Sequence, residues 1–307
     1  MSQTFLPKLT TVAQTVSRSP LVRLVRRHKR LLASLIILAF FIFIGYYLIA
    51  NPQIIQNILH IGYANTISII GGYTAVLLTN VGIMYATIRL CKKKLPLKSG
   101  TLLMIYSSVI NFFGPLQSGP GVRAVYLKAK TGLRIRDFTY AMLFYYFSFA
   151  ALNTSLLFVN TMPWLSLLGV VLAIAMLAAG TYKFASSFLK KYIIYIFALS
   201  AVQIVFLIGI YAVELGAVNP AVHYSLAQIA AFTASANLSL FVSLTPGAIG
   251  IREAFLIFSQ SLHHIPLSAI VAVGIVDRAI YVVFLALLFV LSSSLHLRDM
   301  FIGKQQL

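Results

Sequence analysis

The chain has 307 residues, 60% of them hydrophobic and only 9% charged, with a mean hydropathy of +0.93. Soluble domains carry roughly 25% charged residues, and the apolar runs here continue for about 20 residues without the alternation of an outer-membrane barrel, so both classes are excluded. The net charge of +19, from 24 Lys and Arg against 5 Asp and Glu, would point to nucleic acid in a soluble protein. In a membrane chain it is the excess of Lys and Arg in cytoplasmic loops, and no nucleic-acid partner is expected.

In chain order, residues 1–30 are a basic cytoplasmic segment, with Arg23, Arg26, Arg27, Lys29 and Arg30 crowded before the first apolar run. Residues 31–295 are the transmembrane domain and 296–307 a cytoplasmic tail. Full spans are predicted at 31–50, 63–90, 137–160, 164–182, 192–213 and 267–295, each long enough to cross at 1.5 Å per residue. The first is too long for the apolar core of a signal peptide and reads as an uncleaved span. Trp164, Tyr46, Tyr47, Tyr192 and Tyr211 fall near expected membrane interfaces.

The basic residues set the topology. Of the 24, 21 lie in 1–30, 89–98, 128–136, 183–191 and beyond 295, while 51–62, 161–163, 214–223 and 263–266 have none. All 21 face the cytoplasm if both termini are inside and the spans alternate, which suits an inner or plasma membrane.

Two segments do not fit as simple spans. Residues 99–131 lie between two basic loops on the same side, and their middle reads GPLQSGPG (114–121), which no continuous helix tolerates. Residues 224–262 repeat the design, broken at TPGAIG (245–250) and flanked by segments without basic residues. Both read as re-entrant helical hairpins of opposite orientation, acceptable at membrane depth only inside protein or beside a wet cavity. Gly121-Val122-Arg123-Ala124-Val125-Tyr126-Leu127 matches Gly250-Ile251-Arg252-Glu253-Ala254-Phe255-Leu256, with Ser108 and Asn111 upstream of the first and Ser235 and Asn237 upstream of the second. The pair reads as an inverted-topology repeat. The fold class is thus an all-α polytopic membrane protein with about six full spans and two inverted hairpins.

Each break starts a helix near a proline, Pro120 or Pro246, and puts an arginine in or near its first turn. Helix N–H groups and an arginine together suit a phosphate or carboxylate. The last span adds Asp277 and Arg278 about ten residues from its start, so Arg123, Arg252, Glu253, Asp277 and Arg278 are expected at one depth. Three arginines against two acids leave one positive charge over, which calls for an anionic guest. The competing reading is a structural salt-bridge network that fixes helix packing.

Other residues carry less. Cys91 excludes an intrachain disulfide and reads as an inert thiol; no metal site, cofactor or catalytic motif is found. His263 and His264 are adjacent and read as loop residues at the outer interface, Asn153-Thr154-Ser155 is a glycosylation sequon inside a span, and Glu214 is a lone acid near the outer surface. The basic stretch 128–136 suits anionic lipid as well as a topology signal.

NFFGPLQSGPGVRAVYL (111–127), SLTPGAIGIREAFL (243–256) and VDRAIYV (276–282) resemble the lysylphosphatidylglycerol synthase transmembrane, or flippase-like, family over residues 30–295. The resemblance implies a helical membrane protein connected with phospholipids, and Ala124 departs from it where the second break has Glu253. Longer members add an aminoacyl-transferase domain; this sequence ends at Leu307, so synthase activity is not carried over. The expected function is translocation of a phospholipid or related anionic lipid between leaflets. The substrate-binding residues expected are Arg123, Arg252, Glu253, Asp277, Arg278, Asn111, Asn237, Gly121 and Gly250. Left open beside it are a membrane-embedded lipid or glycan transferase, with Glu253 or Asp277 as base, and a non-transporting subunit of an envelope lipid enzyme. Expected partners are the phospholipid and either a second copy of the chain or a lipid-modifying enzyme.

Overall fold

The computed structural model describes residues 61–113, 118–183, 187–242 and 251–302. The predicted span 31–50, the basic N-terminal segment and the tips of both breaks, with Gly250 and Pro246, lie outside these residues. Among the described residues the regular structure is entirely helical: α1 (Tyr63–Leu90), α2 (Leu97–Phe113), α3 (Gly119–Thr131), α4 (Ile135–Leu157), α5 (Pro163–Lys183), α6 (Ser187–Val218), α7 (Leu226–Ser239), α8 (Ile251–Phe258), α9 (Gln260–His263) and α10 (Leu267–Ile302).

Four stretches are long and apolar enough to cross a membrane: Tyr63–Leu90, Pro163–Tyr182, Leu189–Val218 and Leu267–Ser294. They correspond to four of the predicted spans, and these helices fit an integral membrane protein. The span expected at 137–160 forms as the 23-residue α4, but its Tyr, Ser, Asn and Thr residues leave it less apolar than those four. α5 explains why water is the wrong solvent: Trp164 is 67% exposed and Leu167 63%, alongside Ile174 and Val171. A contiguous apolar face of that kind belongs against lipid or another protein.

Local chemistry ends the helices where the sequence suggests. Pro120 stands in the first turn of α3, where its missing N–H costs nothing, and Gly132 closes that helix in the left-handed region at φ 64. Ser225 caps α7 in a reciprocal box: its hydroxyl accepts from the Gln228 N–H, and the Gln228 amide oxygen accepts from the Ser225 N–H.

Packing centres on α6, which runs beside α1 as the most extensive pairing among the described helices and also touches α4, α5, α7 and α10. One core cluster joins α1, α3, α4 and α6 through Ile83, Met84, Leu127, Phe138 and Ile196; a second joins α6, α7 and α10 through Leu215, Phe232 and Ile270. α4 and α5 approach so closely that a Cβ on Gly169 would lie 2.6 Å from the Ser155 backbone nitrogen. Small residues at helix crossings let dispersion contacts replace the hydrophobic driving force that lipid does not supply. α2 packs on α3 and α7 on α8, so helices flank both sequence breaks as expected.

Candidate functional site

A cavity of about 290 Å³ lies among these helices, at the small end of ligand-site volumes. The first break contributes Asn111 and Arg123, and the second contributes Asn237 and Arg252. Asp277 comes from α10. Five of the nine residues expected at a binding site therefore share one cavity, although they come from positions 111 to 277.

The second break delivers a neutralised arginine. Arg252 pairs with Asp277, Nη1 to Oδ2 at 2.5 Å, and its other terminal nitrogen donates to the Tyr211 hydroxyl. The guanidinium also lies over the Tyr211 ring, 5.4 Å from its centroid. Tyr73 of α1 donates to the remaining Asp277 oxygen, which completes a chain Tyr73–Asp277–Arg252–Tyr211 across four helices. Glu253 is bonded to Arg278 in a second pair outside the cavity wall. The five ionisable groups thus resolve into two ion pairs and one remainder.

That remainder is Arg123. It is 9% exposed and, among the described residues, has no carboxylate partner. Its Nη1 lies 3.4 Å from the Met104 sulfur, a weak acceptor, its Nε has no partner, and Tyr146 is within hydrogen-bonding reach. A buried guanidinium so poorly satisfied is costly unless an anion completes it.

The two asparagines reach the same cavity for different reasons. The Asn111 side-chain oxygen accepts from the Gly119 N–H at 3.2 Å and so ties α2 to α3. Asn237 donates to Asn153 of α4 at 2.8 Å. The glycine that the first break needs is Gly119, where a Cβ would lie 2.7 Å from the Ser107 carbonyl oxygen; at Gly121 a Cβ meets open space, and the residue is exposed.

Comparison with known protein families, with characterised proteins and with solved structures finds no match. The site's chemistry therefore stands on its own geometry.

Sequence reasoning missed several residues. Tyr211, expected at a membrane interface, is 4% exposed and holds Arg252. Tyr145 donates to Gln203 at 3.1 Å in the cavity wall, and a glutamine in the middle of an apolar span was the available signal. His263, expected in a loop, is buried. Its Nε2 bonds the Leu256 carbonyl at 3.0 Å and its Nδ1 accepts from the Ile265 N–H at 3.1 Å, which defines a neutral ring braced between α8 and the turn that leads into α10. Asn153 of the sequon is fully buried and bonded, as a residue inside a packed helix. Burial pushes the Cys91 thiol up to about 11, with Asp137 adding to the shift, which suits an inert thiol at neutral pH.

Proposed function

We propose that this chain is a translocator of phospholipid, or of a related lipid with an anionic headgroup, in a cell membrane. The observation that carries the proposal is Arg123: a buried arginine without a carboxylate partner among the described residues, facing the cavity that Arg252, Asp277, Asn111 and Asn237 also face. A lipid phosphate is a bidentate acceptor that supplies the missing charge. In this reading the termini are cytoplasmic, six helices span, and the helix pairs around 114–121 and 245–250 are re-entrant hairpins entering from opposite sides. Rocking one repeat against the other then exposes the cavity alternately to each leaflet. The break motifs agree with the flippase-like family that they resemble. Against a transferase, Asp277 has both oxygens engaged and Glu253 is paired with Arg278, so neither acid stands ready as a general base.

The test is transfer of a labelled phospholipid between leaflets in liposomes holding the purified chain. Unmodified lipid should move faster than in protein-free liposomes, and Arg123→Ala should weaken the lipid's apparent affinity roughly 10- to 100-fold, as loss of a charged hydrogen-bond partner does. Movement at the protein-free rate, or a new covalent lipid product seen by mass spectrometry, overturns the reading.

A further inference from the structure

Glu214 is the buried acid for which the proposed lipid site has no use. It lies four residues before the end of α6, has no solvent exposure, and neither carboxyl oxygen has a hydrogen-bond partner. A carboxyl in that position persists only as the neutral acid or under the field of a cation. Such groups inside membrane helices are otherwise rare and mark proton or substrate pathways.

The charged and titratable groups around it come from four helices. Arg252 of α8 and Asp277 of α10 act on it through space, as do the phenols of Tyr73 on α1 and Tyr211, one turn earlier on α6. α7, which also packs on α6, has no ionisable residue. α4 bonds α6 at Gln203, about three turns away, and the titratable Tyr182 of α5 stands at the other end of α6. Tyr211, Tyr73, Arg252 and Asp277 all line the cavity, so Glu214 borders the anion site without being part of its wall.

The charge arithmetic around this cluster links the two. Arg252 is the nearby cation, and Asp277 already compensates it. With Glu214 ionised, two carboxylates face one guanidinium, and the excess negative charge opposes a phosphate in the same cavity. With Glu214 protonated that cluster is neutral, and the positive charge of Arg123 is left to the ligand.

We propose that Glu214 is a proton-binding site coupled to the anion site: a phosphate headgroup entering the cavity is accompanied by a proton from water that joins the Glu214 carboxylate. The inference rests on the cavity being the lipid site, and it adds a driving force to that reading. Proton and anionic lipid then strengthen each other's binding by the same factor, as linkage requires. A proton gradient is thereby able to power the lipid's movement.

The full chain, purified in detergent and weakly buffered, is titrated with dihexanoyl phosphatidylglycerol, whose phosphodiester does not titrate near neutral pH. Roughly one proton should be taken up per lipid bound, and the apparent affinity should weaken by up to about tenfold per pH unit as pH rises. Glu214→Gln should bind with an affinity that no longer follows pH and should take up no proton. If that variant does not stay monodisperse, Glu214→Asp takes its place: uptake persists, and the infrared band of the protonated acid that grows on lipid addition must shift. Lipid binding without proton uptake overturns the coupling and leaves the lipid site standing. Uptake unchanged in Glu214→Gln, or an unshifted band in Glu214→Asp, does the same. Failure to bind lipid at any pH overturns both.

Discussion

Arg123 and Arg252 hold matching places in the two copies of the break motif, and their surroundings make them different chemical objects. Arg252 meets a carboxylate, a phenol hydroxyl and an aromatic face. Arg123 meets a thioether sulfur and the Tyr146 hydroxyl. The motif can place an arginine at the start of a helix, but the helix packed opposite decides whether the charge is compensated. α10 brings Asp277 to the second break; α2 brings Met104 to the first. The division assigns holding the fold together to one arginine and availability to a ligand to the other.

The largest effect that tests this division is on stability. Arg252→Met and Asp277→Asn each strand one half of a buried pair and should cost about 3–5 kcal/mol. Arg123→Met strands no acid and should be neutral or slightly stabilising. Denaturation of the detergent-solubilised variants reads this directly, and equal losses at the two arginines would abolish the contrast.

A smaller effect separates the glycines of the first break. Gly119→Ala pushes a methyl against the Ser107 carbonyl and the Asn111 side chain, and should cost about 1–3 kcal/mol as overpacking does. Gly121→Ala has open space and should change stability by less than about 0.5 kcal/mol in the unfavourable direction. The same denaturation measurement ranks them, and the opposite order would move the close approach from Gly119 to Gly121.

The smallest effect belongs to the second break alone. His263 is held below the ordinary histidine range by burial, and its Nδ1 accepts the Ile265 N–H only when neutral. Because the folded group resists protonation and the unfolded one does not, its contribution is complete above about pH 6.5 and is lost as pH falls below it. Loss of that hydrogen bond corresponds to about 1 kcal/mol, read as faster exchange of the Ile265 amide at pH 5 than at pH 7.5 after correction for intrinsic rates. A histidine brace of this kind is absent from the described part of the first break, where exchange should not respond in this way.

Much of the site was legible because a charge in apolar sequence is conspicuous. Arg123, Arg252 and Asp277 were expected together and line one cavity; the surplus of one arginine follows from their number. Glu253 and Arg278 were expected with them and instead satisfy each other. Tyr73 and Tyr211 were not legible, since a tyrosine suits an interface as well as an interior, and which it occupies depends on how its helix is rotated. Glu214 was misjudged for a related reason: its position near the end of a span suggested the surface, while packing around α6 closed it off.

The sequence by itself determined that the chain is helical and apolar, where most of its helices run, and where helices are interrupted. Those properties follow from local hydrogen bonding, proline and glycine geometry, and the transfer preference of each residue, which are nearly additive along a chain. Tertiary structure alone decided which arginine is compensated, which glycine is needed, and that an isolated glutamate is sealed beside the site. Each of those depends on two side chains meeting, such as Tyr73 with Asp277 across 204 positions, and no local term specifies such a meeting.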